Sequence, residues 1–100
     1  MGMTDDVTVL REAETVYDDG TVVSIRLLSV PVSETFPMGI KYKYHYGEAG
    51  ATNPIIRLDN HHGPHELHLD DETFEIEFPG FTLLTECFRT ALPSEKRRDW

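Results

Sequence analysis

The segment from Ile40 to Tyr46 limits the fold of this chain most, because bulky and basic residues alternate in it without a break. In an extended strand, one face then carries the side chains of Ile40, Tyr42, Tyr44 and Tyr46. The other face carries Lys41, Lys43 and His45. A period of two predicts a β-strand with one buried face. The tyrosines could instead stack nucleic-acid bases, but alternating aromatics are more typical of a core-facing side, which is our interpretation.

Two strands are predicted before this segment and one directly after it. Residues 7–17 and 21–30 flank Asp18-Asp19-Gly20, and an Asp-Gly pair supplies the positive φ that a tight hairpin needs. Residues 54–59 are predicted to return as an antiparallel partner. Residues 60–71 are predicted to form a polar loop rich in histidine.

The C-terminal part of the chain predicts a closing strand and a helix. Residues 73–78 alternate again, with an inward row of Phe74, Ile76 and Phe78. Apolar residues then recur at the spacing of a helix, at Phe81, Leu84, Phe88 and Leu92. Cys87 is expected on the apolar side of this helix as an inert core residue. Beyond Pro93, the run Lys96-Arg97-Arg98 is expected to be a solvated helix end.

Together these elements predict an α+β fold. One hundred residues fit a single domain over residues 1–100. We expect an antiparallel meander of about five strands over residues 7–78, packed against one C-terminal helix over residues 81–92. A short basic tail would occupy residues 93–100.

The charge balance is strongly acidic. Eighteen acidic and nine basic residues give a net charge of -9, and only three of the basic residues are lysines. Such a surface is typical of a halophilic cytoplasm, where the Debye length falls to about 3 Å at molar salt. A mildly acidic mesophilic protein is the alternative. Net acidity argues against broad, nonspecific nucleic-acid binding but leaves a local cationic groove open.

The remaining composition predicts a cytoplasmic protein without a membrane anchor. Cys87 is the single cysteine, which excludes an intrachain disulfide and a zinc–thiolate cluster. Met1 to Asp6 has neither the cationic nor the apolar region of a signal peptide. No apolar run approaches the ~20 residues needed to span a membrane.

Histidine clustering is the strongest anomaly in the sequence. Four of the five histidines fall within eight residues, at His61, His62, His65 and His68. The unperturbed pKa of histidine lies nearest neutrality, so a pair can give and take protons in one reaction. This cluster therefore suits acid–base catalysis of metal-free phosphodiester cleavage, in which one histidine activates a ribose 2′-hydroxyl and another protonates the leaving oxygen. Such a reaction requires RNA.

Basic residues stand close enough in the sequence to serve that chemistry. Arg57 could clamp a phosphate with its planar fork, and Lys41 or Lys43 could add a point charge. A strand that pairs with residues 54–59 would bring Lys43 or His45 close to Arg57. Asp59 and Asn60 precede the cluster and could bind substrate or simply form a turn at a strand end.

Two other interpretations of the histidine cluster stay open. The histidines could be solvated polar residues of a loop. They could also bind a divalent metal, because the pairs His65/His68 and His61/His65 have ligand-like separations. The zinc-protease helix signature is absent, however, and Pro64 disfavours a regular helix there. The prediction is therefore a site without metal or cofactor.

With these motifs in place, the chain resembles the TumE-type toxin family. The resemblance covers residues 13–92 and is carried by the acidic-Gly hairpin turn, Tyr42-Lys43-Tyr44, Ile56-Arg57-Leu58-Asp59-Asn60 and the histidine-rich loop. The closing strand and helix also fit. The family positions that carry over are Lys43, Arg57, Asp59, Asn60, Gly63, His65 and His68. Family members tend to separate the two loop histidines by one residue. Here Glu66 and Leu67 lie between them, so His62 could replace one of the two.

The resemblance implies the toxin of a type II toxin–antitoxin pair, with a helix-turn-helix antitoxin as partner and a ribonuclease-like action on RNA. The predicted catalytic residues are His65, His68 and His62. The predicted substrate-binding residues are Lys43, Arg57, Asp59, Asn60, Lys41 and His45. The alternatives are a non-enzymatic protein-interaction domain and a metal-binding module. The sequence leaves homo-oligomer formation open.

Overall fold

The computed structural model describes residues 7–100, so the expectation about Met1 to Asp6 lies outside the described residues. Six antiparallel strands form one sheet in chain order and two helices follow. The strands are β1 (Thr8–Val16), β2 (Thr21–Ser29), β3 (Ile40–Glu48), β4 (Ile56–Asp59), β5 (Glu66–Leu69) and β6 (Glu72–Glu75). The helices are α1 (Phe81–Ala91) and α2 (Ser94–Arg97). The predicted α+β meander is confirmed.

The predicted hairpin connects β1 to β2. Gly20 has a φ of 86°, which a residue with a side chain rarely adopts. The Asp19 carboxylate accepts hydrogen bonds from the backbone N–H of Thr21 at 3.0 Å and from its hydroxyl at 2.6 Å. The turn therefore ends with a side-chain clamp at the start of β2.

Alternation in β3 divides the sheet into two faces, as predicted. Tyr42 and Tyr44 are each 1% exposed and pack under α1. The Tyr44 hydroxyl also lies 2.8 Å from the hydroxyl of Thr85 in α1. The buried core to which they belong consists of Val23, Ile25, Tyr42, Tyr44, Tyr46, Leu58, Leu84, Phe88 and Leu92. Core packing, not base stacking, is thus the role of the tyrosine row.

The C-terminal tail does not behave as a solvated end. Lys96 is 3% exposed, and its ammonium donates hydrogen bonds to Asp19, Thr21 and Tyr46. Arg97 donates to the carbonyls of Arg89, Thr90 and Leu92 at the end of α1. The Arg89 carbonyl also accepts from the backbone N–H of Leu92 at 3.1 Å. The last carbonyls of a helix otherwise lack intrahelical donors, so α2 folds back as a cap.

Three further expectations are corrected. The predicted polar loop 60–71 contains β5, because Glu66–Leu69 pairs with β4 on one side and β6 on the other. The last strand is shorter than predicted and Phe74 is 45% exposed, because β6 is the sheet edge and lies outside the core. Cys87 is exposed, since α1 buries the row of Leu84 and Phe88.

No described helix is long and apolar enough to cross a membrane.

Candidate functional site

The sheet face opposite α1 concentrates cations in an acidic chain. Of the nine lysines and arginines, four lie on this face, at Arg26, Lys41, Lys43 and Arg57. The strand register explains the placement. Lys43 of β3 pairs with Arg26 of β2 on one side and with Asp59 of β4 on the other. Paired residues of neighbouring strands point to the same face.

A cleft of about 180 Å³ opens on this face where β3, β4 and β5 meet. The register aligns Lys43, Asp59 and Glu66 in one row across the strands. The neighbouring row brings Arg57 opposite His68. The complete lining is Lys43, Arg57, Asp59, His61, His62, Glu66 and His68. The cleft therefore combines two cations, two carboxylates and three histidines.

Asp59 organises the floor of the cleft. It is 2% exposed, and its Oδ2 accepts a hydrogen bond from the Nε of Arg57 at 2.9 Å. Its Oδ1 accepts from the backbone N–H of His61 at 3.2 Å. One carboxylate thus fixes an arginine by its Nε edge and holds the start of the histidine loop. Within residues 7–100, Arg57 has no other hydrogen-bond acceptor, so its terminal N–H groups are free to bind an anion.

His68 lies deeper in the cleft and both of its ring nitrogens face the protein. Nδ1 lies 3.1 Å from the hydroxyl of Thr73. Nε2 lies 3.1 Å from Asp59 Oδ2 and 3.6 Å from Glu66 Oε1. The Nε2 atom is buried, and the approach to Asp59 is too poorly aligned to count as a hydrogen bond. The ring is therefore held between carboxylates and does not present a nitrogen to the opening.

Asp59, Glu66 and His68 also form the one group of metal-ligand type that residues 7–100 contain, with ligand atoms within 4.8 Å of one another. Asp59 Oδ2 is already bound to Arg57, however, and Lys43 lines the same cleft. A divalent cation would face two fixed positive charges at short range. The donor set therefore fits a metal poorly.

His61 and His62 stand at the exposed rim of the cleft, with ring centroids 6.4 Å apart. The pKa of His61 is lowered, first by partial burial and then by the positive charge of Lys41, while Asp59 opposes the shift. The lowered pKa favours the neutral form of His61 at physiological pH. A neutral imidazole can accept a proton from a group bound in the cleft.

His65 lies on the opposite face of the sheet. Its Nδ1 is 2.8 Å from the Tyr42 hydroxyl, and its ring stacks on Phe78 with centroids 4.6 Å apart. Burial lowers the pKa of His65 and raises that of Tyr42. The structure brings His62 and His68 to the cleft and leaves His65 beside the core.

Three other predicted residues lie outside the cleft. Asn60 is buried, and its side-chain amide bonds the backbone N–H of Tyr42 and the carbonyl of Ile40. His45 sits beside Arg57 in the strand register, and burial followed by the charges of Lys43 and Arg57 lowers its pKa. Lys41 borders an adjoining hollow together with His61.

Two lining residues were not among the predicted site residues. His61 belongs to the histidine cluster and directly follows Asn60, so clustering alone could have included it. Glu66 is two residues from His68, which places both on one face of an extended strand. Recognising β5 would have identified it.

Comparison with known proteins adds one match. The family model described as Toxin TumE matches residues 4–97 of the 100-residue chain. No curated protein and no solved structure matches.

Proposed function

The chain belongs to the TumE toxin family, and we propose that it is the toxin of a type II toxin–antitoxin pair that cleaves RNA without a metal. The observation that supports the reaction is the cleft itself. Arg57 and Lys43 supply fixed positive charge beside three histidines, His61, His62 and His68. Fixed cations can stabilise the charge that develops on phosphorus oxygens in the transition state.

The proposed reaction is an internal transesterification. Neutral His61 takes the proton of a ribose 2′-hydroxyl, and the 2′-oxygen forms a bond to the adjacent phosphorus. The bond from phosphorus to the 5′-oxygen breaks, and that oxygen takes a proton from His62. The products are a 2′,3′-cyclic phosphate and a 5′-hydroxyl. Arg57 and Lys43 bind the non-bridging oxygens throughout.

The two half-buried loop histidines, His65 and His68, transfer no proton in this scheme. His68 is a positioning residue, because its Nε2 lies 3.1 Å from Asp59, the carboxylate that orients Arg57, and 3.6 Å from Glu66. His65 closes the other side of the sheet through Tyr42 and Phe78. The proposal thus moves the acid–base pair from His65 and His68 to His61 and His62.

A toxin of this family calls for an antitoxin, and we propose a helix-turn-helix protein encoded by the neighbouring gene. Induced expression of the chain, alone and with that neighbour, tests the pairing. Growth arrest with early RNA cleavage, both suppressed by co-expression, is the expected result. Normal growth with intact RNA would remove the basis for toxin activity in this chain.

Purified protein tests the chemistry. Cleavage of single-stranded RNA is expected to persist in EDTA and to leave 2′,3′-cyclic phosphate ends. His62→Ala is expected to lower kcat by about 10²-fold or more. His65→Ala is the matched control, since it removes a histidine from the same loop but from the opposite face. Equal losses in both variants, or loss of activity in EDTA, would contradict the mechanism.

The activity should also depend on pH in a defined way. Because partial burial and Lys41 lower the pKa of His61, the base form persists below the usual histidine value of 6.5. Lys41→Met removes one cause of that shift and should move the acidic limb of kcat/KM to higher pH. Arg98→Met, a change of the same charge at an exposed position in the C-terminal segment, should leave the limb in place.

A second candidate, a non-enzymatic interaction domain, is favoured by one observation. The edge strand β1 is largely exposed and carries Val9, Leu10 and Val16, which are 51%, 54% and 65% exposed. An open strand edge can pair with a strand of a partner protein. Complex formation with the neighbouring protein without any RNA cleavage would support this candidate over the first.

A further inference from the structure

Three hollows on the exposed sheet face join into one groove. The cleft shares Lys43 and His61 with a second hollow of about 90 Å³. That hollow shares Arg26 and Lys43 with a third of about 290 Å³. Lys43 therefore borders all three, and the groove runs across the strands from β5 to β1.

Two cations of this groove, Lys41 and Lys43, have no ion-pair partner in the part of the chain that the structure describes, whereas Arg26 pairs with Glu12 and Arg57 with Asp59. The Lys41 ammonium lies 5.8 Å from the ring centroid of Phe36. Lys43 and Arg26 are direct cross-strand partners, and like charges directly opposite each other destabilise a sheet. Within residues 7–100, no carboxylate lies within 4.0 Å of the ammonium group of Lys41 or Lys43. The chain has eighteen acidic residues for nine basic ones, so partners of opposite charge are abundant elsewhere. An anionic ligand would supply the missing partners.

Carboxylates close the groove at its far end. Glu12 and Glu14 of β1 border the third hollow. The Nε of Arg26 lies 3.0 Å from Glu12 Oε2, and both side chains are more than half exposed. A polyanion is repelled by these carboxylates, so its path would end at β1. Glu12 would also compete with a phosphate for Arg26.

We infer that this groove binds phosphates of single-stranded RNA beside the scissile bond, with Lys41 and Arg26 as two subsites outside the cleft. The inference rests on the proposed function and defines its substrate. A single strand can follow the groove and bring its 2′-oxygen into line with the leaving oxygen. An A-form duplex holds its phosphates in a fixed helical arrangement, with a deep and narrow major groove.

Two variants test the Arg26 subsite with opposite expected signs. The probe is a short fluorescent 2′-O-methyl RNA that cannot be cleaved, with binding followed by anisotropy over a range of salt. Arg26→Ala should weaken binding about three- to fivefold and lower the slope of log K against log salt by about 0.7. Glu12→Gln should strengthen binding about threefold, because Arg26 then loses its competing carboxylate.

Matched controls separate the subsite from net charge. Arg98→Ala removes an exposed arginine of the C-terminal segment. Glu86→Gln removes the partner of Arg89 on α1, where the ion pair measures 3.5 Å. Both are expected to change affinity less than twofold. Equal effects of Arg26→Ala and Arg98→Ala would overturn the subsite, as would a same-length duplex that binds as tightly as the single strand.

The outcome for the proposed function is read separately, from cleavage and growth arrest. Cleavage by the wild type with no effect of Arg26 or Glu12 on binding overturns the groove and leaves the proposed function standing. Binding that depends on Arg26 without any cleavage supports the groove and overturns the catalytic proposal. Absence of binding by the wild type overturns the groove.

Discussion

At the scale of single residues, Asn60 replaces two backbone partners at the end of β4. Its Oδ1 accepts a hydrogen bond from the N–H of Tyr42 at 2.9 Å, and its Nδ2 donates to the carbonyl of Ile40 at 2.8 Å. The side chain therefore continues the ladder between β3 and β4 beyond Asp59. This asparagine, which the sequence predicts to bind substrate, thus stabilises the strand that carries Lys41 and Lys43.

Asn60→Ala is expected to lower the free energy of unfolding by about 2 kcal/mol, because two buried backbone groups lose their partner. Asn60→Asp keeps the acceptor and should fall between the wild type and the alanine variant. Urea unfolding measures both. Asn53→Ala, at an exposed turn position, is the control. A loss no larger than that of Asn53→Ala would contradict the structural role.

The spacing of His65 and His68 in the sequence already indicates that they lie on opposite faces of the sheet. Residues separated by an odd number lie on opposite faces of an extended chain, and His65 and His68 are three apart. Treating residues 60–71 as a loop hid this, since a loop imposes no alternation. Lys43, Arg57 and Asp59, in contrast, could be placed together from the predicted pairing of β3 with β4. The sequence did not indicate that the four residues of β5 form a strand, so the face on which each side chain lies could not be predicted.

At the scale of elements, α2 joins the C-terminus to the first hairpin. Its Lys96 donates to Asp19 at 2.6 Å, to Thr21 at 2.8 Å and to Tyr46 at 3.2 Å. The indole of Trp100 donates to the Tyr17 hydroxyl at 3.1 Å, and that hydroxyl donates to Asp99 at 2.9 Å. A helix of four residues is thus held by side chains that are distant in sequence.

The ion pair between Lys96 and Asp19 should make the free energy of unfolding depend on pH. The hydrogen bond from Lys96, followed by those from Thr21, lowers the pKa of Asp19 from 3.8 to about 2. A depressed carboxylate pKa contributes stability that is present above the unfolded value and is lost as pH falls through the folded value. Lys96→Met should therefore flatten the loss of stability between about pH 4 and pH 2. Urea midpoints across that range measure it, with Arg98→Met as the control; parallel curves for wild type and Lys96→Met would refute the linkage.

The sequence predicted those elements in which a hydrophobic pattern repeats over many residues. β3 alternates over its length and α1 repeats apolar residues at helical spacing, so each could be identified alone. β5 spans only four residues and two of them are polar, which is too short for a period to emerge. The burial of Lys96 depends on Asp19, 77 positions earlier. No local pattern encodes such a contact, and buried lysines are rare enough that solvation was the natural expectation.

At the scale of the whole molecule, charge is distributed unevenly. The chain carries a net charge of -9, yet Arg26, Lys41, Lys43 and Arg57 share one sheet face. The hollows on that face also carry four carboxylates, at Glu12, Glu14, Asp59 and Glu66, so the excess of negative charge lies outside them. At the β5–β6 edge, Glu66 and Glu75 are direct cross-strand partners, and like charges in that position destabilise a sheet. A negative molecule whose groove gathers four of its nine cations attracts a polyanion only at short range, once salt screens the long-range repulsion.

This distribution predicts that salt stabilises the protein. The Debye length falls from about 10 Å at 0.1 M to about 3 Å at 1 M salt, so repulsion between exposed carboxylates weakens. The free energy of unfolding should rise over that range in KCl. Glu75→Gln should raise it by about 0.5 kcal/mol at low salt, because Glu66 loses its like-charged partner, and by much less at high salt. Glu34→Gln makes the same change in net charge at an exposed loop position and should have a smaller effect. A stability that is flat from low to high KCl, in wild type and variants alike, would argue against adaptation to a salt-rich environment.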